Sequence, residues 1–166
     1  MYEIERKFLI ACPLADILDD ARQSGHAPLS HRIEQCYLKD TGEWAIRARR
    51  HIDAYDVTRH ILTLKRRHTD VTNIELESPI TAEMYADIEA VCGHDPIAKL
   101  RHVLGPWEVD QFLNPQLEGL VIAEIELTCE DQPFDRPVWL GDEVTGSAGF
   151  TNAAIARRLG AAYVRA

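Results

Sequence analysis

The chain has 166 residues, 46% hydrophobic and 27% charged, enough for one domain spanning 1–166 and too evenly mixed for a disordered or fibrous class. A formal net charge of −9 at pH 7 and a pI near 5.2 set the molecule's field against nonspecific binding of nucleic acid or anionic membrane. Any bound anion must then be met by local positive charge or by a metal ion. Cys12, Cys36, Cys92 and Cys129 include no C-x-x-C pair, which argues against zinc or a disulfide framework and predicts buried free thiols. Glu3 and Glu5 sit where a signal peptide would be basic, and no apolar run reaches the ~18 residues of a membrane span, so the cytoplasm is the expected compartment.

In chain order, Glu3 to Ile10 alternates as a strand, with Glu3, Glu5 and Lys7 on one face and Ile4, Phe8 and Ile10 on the other. Leu14, Ile17, Leu18 and Ala21 form a helical stripe ending at Ser24-Gly25. Residues 31–39 read as a strand carrying Ile33, Gln35 and Tyr37 on one face, and Asp40-Thr41-Gly42 turns into a strand from Glu43 to Arg50 with Arg47 and Arg49 together. A strand from Thr58 to Arg67 aligns Thr63, Lys65 and Arg67, and the next aligns Asn73, Glu75 and Glu77 before Pro79. Thr81 caps a helix with Met84, Ile88 and Val91 as its stripe, stopped by Gly93. Lys99 and Arg101 flank Leu100 in a strand to Leu104, Gly105-Pro106 turns into Trp107 to Phe112 with Asp110, and Leu120 to Cys129 places Glu124 and Glu126 together. A last helix from Asn152 to Leu159, closed by Gly160, is expected to pack on the sheet through Ile155, Ala156 and Leu159.

Six of these strands repeat one pattern: Glu3/Glu5 with Lys7, Arg47/Arg49, Lys65/Arg67, Glu75/Glu77, Lys99/Arg101 and Glu124/Glu126. A solvated sheet face normally mixes Thr, Ser, Gln, Lys and Glu, without like charges two residues apart. The opposite faces are apolar and have helices to cover them, so the charged faces suit the lumen of a closed sheet, where acidic and basic strands neutralise each other. The acids Glu3, Glu5, Glu124 and Glu126, with Asp110, suit hard cations such as Mg²⁺ or Mn²⁺, and the Lys and Arg set suits phosphate oxygens. Together they imply a metal-bound polyphosphate. His51, His60, His68 and His102 are expected at the surface rather than as ligands.

These motifs resemble the CYTH superfamily, the triphosphate tunnel metalloenzymes, from Glu3 to about Asn152. The family's E-x-E-x-K matches Glu3, Glu5 and Lys7; its Q-G-Y-L resembles Gln35-Cys36-Tyr37-Leu38; R-x-R resembles Arg47 and Arg49; T-x-K resembles Thr63 and Lys65. Its E-x-E pairs match Glu75/Glu77 and Glu124/Glu126, K-x-R matches Lys99 and Arg101, and W-x-G-x-E-V-T appears from Trp139 to Thr145. Cys36 replaces the usual Gly, and Asn73 stands where related chains often have Arg.

The resemblance implies a mainly β (α+β) fold, a closed eight-stranded antiparallel tunnel with helices packed outside. It implies Mg²⁺ or Mn²⁺ held by Glu3, Glu5, Glu124 and Glu126, and phosphates held by Lys7, Arg47, Arg49, Lys65, Arg67, Lys99 and Arg101. In bacterial members the lysine at Lys7 is paired with a tyrosine at the position of Tyr37, and the resemblance allows a homodimer. The expected reaction is metal-dependent hydrolysis of inorganic tripolyphosphate, a small-molecule substrate. Relatives on the same fold cyclise ATP, as class IV adenylate cyclases, or cleave thiamine triphosphate. A noncatalytic polyphosphate-binding module would not need two E-x-E sites, and a carrier of apolar ligands would need an apolar lumen.

Overall fold

A computed structural model of the chain describes residues 2–40 and 43–160, with Lys39 and Asp40 described by backbone alone. The expected turn at Asp40-Thr41-Gly42 therefore lies partly outside the described residues. Among the described residues nine strands form one sheet: β1 (Tyr2–Ile10), β2 (Leu29–Asp40), β3 (Trp44–Ile52), β4 (Thr58–Arg67), β5 (Thr72–Pro79), β6 (Ile97–Leu104), β7 (Trp107–Phe112), β8 (Val121–Leu127) and β9 (Leu140–Glu143). Their spatial order is β5-β4-β3-β2-β6-β7-β8-β1-β9, and β1 also pairs with β5, closing eight antiparallel strands into a barrel.

Closure makes β1 the seam. One side pairs continuously with β8, Ile4 opposite Leu127 through Leu9 opposite Ile122. The other side is shared: Tyr2 to Ile4 pair with β5, and Phe8 and Ile10 pair with β9. The expected alternation holds around the barrel, since the ladder sets Lys7 opposite Glu124, Lys65 opposite Glu75, Arg47 opposite Tyr37 and Arg101 opposite Asp110. A closed sheet has no free edge to satisfy, and its two faces can carry opposite polarity.

The outer faces of β1, β7 and β8 bury Phe8, Trp107, Val109, Ala123 and Ile125 under the segment carrying Phe134, Trp139 and Leu140. Helix α1 (Leu14–Gln23) buries Ile17 of its predicted stripe, with Leu14 packed on the same cluster. Helix α2 (Ala82–Cys92) is capped by the Thr81 side chain, which accepts from the Met84 N–H, and ends at Gly93, whose φ of 69° favours glycine. Its buried stripe differs from the Met84/Ile88/Val91 expectation. Tyr85 is buried, whereas Met84 is 48% and Val91 73% exposed. The face turned to β2 and β3 is offset by one residue because Tyr85 packs with Arg50 and His60.

Helix α3 (Asn152–Arg158) packs on the sheet, but on its inner side. Ile155 and Ala156 are buried against Tyr37, Ile97, Phe112 and Ile122, which share the inward face of their strands with the lumen residues two positions along. The lumen is thus apolar and plugged at one end and charged along the rest. Strand β9 was not expected, because Leu140–Glu143 is short and carries no period-2 apolar pattern. Two further expectations fail. His102 is buried on the face of β6 opposite Lys99 and Arg101, its Nδ1 2.9 Å from the hydroxyl of Ser30, its ladder partner on β2. Cys129 is exposed, since it follows the end of β8, while Cys36 is buried and all four cysteines are free.

Candidate active site

The lumen charges form one chain of ion pairs running around the wall. Lys7 Nζ donates to Glu5 Oε2 at 3.0 Å and to Glu124 Oε1. Lys65 bridges Glu3 and Glu5, with Glu5 Oε1 at 2.9 Å, and reaches Glu75 at 3.5 Å. Arg47 donates to Glu75 at 2.8 Å. Arg101 makes a two-pronged contact with Asp110, both distances 2.7 Å, and contacts Glu124 at 2.9 Å. Asp110 is also bonded by Lys99, and both side chains are fully buried.

These partners set the protonation states. Burial alone would raise Glu5, but Lys7 and Lys65 outweigh it and hold the carboxyl near 2. Burial likewise opposes charge on Glu124 and Asp110, yet Lys7 and Arg101 for the first, and Lys99 and Arg101 for the second, keep both well ionised. Lys7 is pushed up by Glu124 and Glu5 against the cost of burial, so it stays protonated. Burial and neighbouring Arg101, opposed by Asp110, bring Lys99 down to about 8.

Two acids behave differently. Glu3 is raised to about 7 by burial and by Glu5, and Glu126 is raised by burial and by Glu108 and Glu5. That corner of the lumen carries more carboxylate than its cations neutralise. Arg49 is the converse. Among the described residues it has no carboxylate partner, its Nε makes no hydrogen bond, and burial with Arg47 and Arg101 nearby lowers it to about 10.

A cavity of about 480 Å³ opens among Glu3, Arg49, Lys65, Arg101, Glu124 and Glu126. A smaller one of about 140 Å³ adjoins it near the plugged end, lined by Lys7, Tyr37 and Thr145 among others. Tyr37 there faces Arg47 across the β2–β3 ladder. Of the residues singled out in the sequence, Glu3, Glu5, Lys7, Arg47, Arg49, Lys65, Arg101, Glu124 and Glu126 line these cavities, as does Tyr37. Lys99 and Asp110 lie in the wall behind them. Arg67 stands at the rim of the smaller cavity, 42% exposed and paired with Asp70. Asn73, the departure from the Arg of related chains, places its Nδ2 3.5 Å from Glu5 Oε1.

Glu108 was missed. It lines the larger cavity and is bonded by Arg101, and the run Glu108-x-Asp110 carries the same like-charge spacing as the other strands. Asn152 was also missed as a lining residue, because its place depends on α3 entering the barrel.

The donor set fits a hard divalent cation: Glu3, Glu5, Glu124 and Glu126 offer only carboxylate oxygens, and the raised acids mark a local excess of negative charge. Among the described residues no three acidic, His or Cys groups are already arranged as a metal cluster, since Lys7, Lys65 and Arg101 occupy the carboxylates.

No protein-family model matches the chain. An inorganic triphosphatase of Acetivibrio thermocellus is 35% identical over 155 residues, 90% of this chain and 90% of that protein. An inorganic triphosphatase of Nitrosomonas europaea is 27% identical over 169 residues, covering 94% of this chain and 97% of that one. The crystal structure of the inorganic triphosphatase NE1496, 27% identical, covers 93% of each chain with a TM-score of 0.60. With the closed tunnel and its ring of paired charges, this similarity over nearly the whole length shows that the chain belongs to the inorganic triphosphatase branch of the CYTH superfamily.

Proposed function

We propose that the protein hydrolyses inorganic tripolyphosphate within the tunnel, with Mg²⁺ or Mn²⁺ held by Glu3, Glu5, Glu124 and Glu126. The observation that carries this reading is Arg49, a half-buried guanidinium without a carboxylate partner among the described residues, facing the larger cavity in a ring whose other cations are paired. An unpaired buried cation is costly, and a phosphate oxygen is the ligand that Arg geometry suits best. The larger cavity offers little to a nucleobase: among the described residues its aromatic lining is Tyr2 at the mouth, whose ring packs against His68 with centroids 5.6 Å apart.

Substrate entry exchanges partners. Lys7, Lys65 and Arg101 each give up a carboxylate for a phosphate oxygen, which frees Glu5 and Glu124 for the cation. Phosphate and cation therefore promote each other's binding. Such an ion, when bound, neutralises phosphate charge and acidifies a water molecule. Arg47, Arg49, Lys65 and Arg101 grip the chain of phosphates along the wall. Lys7, protonated at the boundary of the two cavities, donates to the oxygen on which charge develops, and Tyr37 beside it orients the attacking water. Asp110, engaged by Lys99 and Arg101, holds that wall in place and is left out of the cation set.

A phosphate-release panel of tripolyphosphate, pyrophosphate, ATP and thiamine triphosphate, with Mg²⁺ or Mn²⁺ and with chelator, tests the proposal. Chelator-sensitive release from tripolyphosphate is expected. Cyclic AMP from ATP with tripolyphosphate inert would overturn it, and binding without turnover would support a polyphosphate-binding module instead.

A further inference from the structure

Lys7 lies where β1 has no continuous neighbour on one side. Its pairing with β5 ends at Ile4 and its pairing with β9 covers only Phe8 and Ile10, with an irregularity between them. The Lys7 backbone is completed by the stretch after β9. The Val144 N–H donates to the Lys7 carbonyl at 2.8 Å, and the Lys7 N–H donates to the Thr145 hydroxyl oxygen at 3.0 Å. A side chain thus replaces one rung of the ladder at a cation that lines the smaller cavity and is bonded to Glu5 and Glu124, which line the larger one.

The hydroxyl has a single proton and two acceptors in reach, Glu143 Oε1 at 2.7 Å and the Lys7 carbonyl at 3.4 Å. The carboxylate is nearer and charged, so it takes the proton and leaves a hydroxyl lone pair for the Lys7 N–H. Glu143 is itself fixed by the Arg6 guanidinium, with Nε at 2.8 Å from Oε1 and Nη2 at 2.6 Å from Oε2. Arg6 and Lys7 are neighbours in β1 facing opposite sides of the wall, so the relay passes from the outer face around the strand to the lumen.

We propose that Thr145 and Glu143 are positioning residues for Lys7: they fix the β1 backbone from which the Lys7 ammonium reaches Glu5, Glu124 and the substrate. The inference rests on the tunnel being the triphosphatase site. Loosening one rung moves the ammonium by a fraction of an ångström, which acts on the reacting geometry more than on substrate affinity.

The test compares Thr145→Val, which keeps the shape and loses the hydroxyl, with Thr145→Ser and Glu143→Ala. Thr145→Val should lower kcat on tripolyphosphate by about 10-fold or more with KM within about 2-fold, and Thr145→Ser should recover most of the loss. Amide hydrogen exchange should show faster exchange at the Lys7 N–H in Thr145→Val and, to a lesser degree, in Glu143→Ala. Equal damage from Val and Ser, a KM effect without a kcat effect, or an unchanged Lys7 amide would overturn the proposal. Should Thr145→Val not fold, the solvent-exposed Glu143→Ala decides by the same readouts. A wild-type protein inert on tripolyphosphate would sink the substrate reading, and the exchange data would still judge the Lys7 geometry.

Discussion

Lys7 and Glu124 face each other across the β1–β8 ladder and are joined through their side chains, with Arg101 on the second oxygen of Glu124 at 2.9 Å. Glu126, two residues on, lies opposite Glu5 and is crowded by acids instead. The two glutamates of one E-x-E motif therefore do different work in the metal-free protein.

Neutralising them should separate these environments. Glu124→Gln leaves Lys7 and Arg101 short of a buried partner and should destabilise the metal-free protein by about 3–5 kcal/mol. Glu126→Gln removes like-charge repulsion and should leave melting unchanged or raise it. Both should lose most cation-dependent activity. Equal melting shifts in the metal-free variants, measured by calorimetry, would contradict the pairing.

The pH dependence of stability should carry a signature of Glu3. Its folded-state value of about 7 lies above the ordinary 4.5, so the folded state holds the proton more tightly than the unfolded chain. That contribution is fully present below 4.5 and is lost as pH rises through about 7. His51 and His102, lowered by burial, act in the opposite sense, so the informative quantity is the difference between wild type and Glu3→Gln. In chelator, wild type should lose stability relative to Glu3→Gln between pH 5 and 8. A pH-independent difference would mean that Glu3 is not held protonated.

Arg49→Met should weaken tripolyphosphate binding by roughly 10- to 100-fold, the scale of one charge-assisted hydrogen-bonding group. In the absence of phosphate the same substitution removes a desolvated, unpaired cation and should keep or raise the melting temperature. A variant that binds normally would remove the observation on which the substrate assignment leans. A variant that melts much lower, with normal binding, would make Arg49 a structural residue.

The plug is a packing device, and its energy should follow burial. Ile155 is fully buried, and Ile155→Ala should cost about 2–4 kcal/mol. Val91→Ala, on the exposed side of α2 at 73% exposure, should cost less than about 0.5 kcal/mol. Urea denaturation of both distinguishes an inserted α3 from one lying on the outer surface, where Ile155→Ala would be nearly silent.

Much of the molecule is a local property of the chain. Strand alternation is set residue by residue, so the inward faces of Glu3/Glu5/Lys7, Arg47/Arg49, Lys65 and Glu124/Glu126 could be read directly, as could the Thr81 cap and the stop at Gly93. Like charges two apart on six strands are enough to place charge in a lumen. The same spacing at Glu108-x-Asp110 was equally visible. What alternation cannot supply is the pairing around the closed barrel, because strand tilt and register decide which acid meets which base. Only the folded chain joins Lys7 to Glu124, buries Asp110 between Lys99 and Arg101, leaves Arg49 unmatched and moves Arg67 to the rim. Strand β9 and the inward α3 belong to the same class: Leu140–Glu143 becomes a strand because β1 has a free side there, and Ile155 goes inside because the far end of the barrel is apolar. Both follow from contacts between residues far apart in the chain, which no local pattern records.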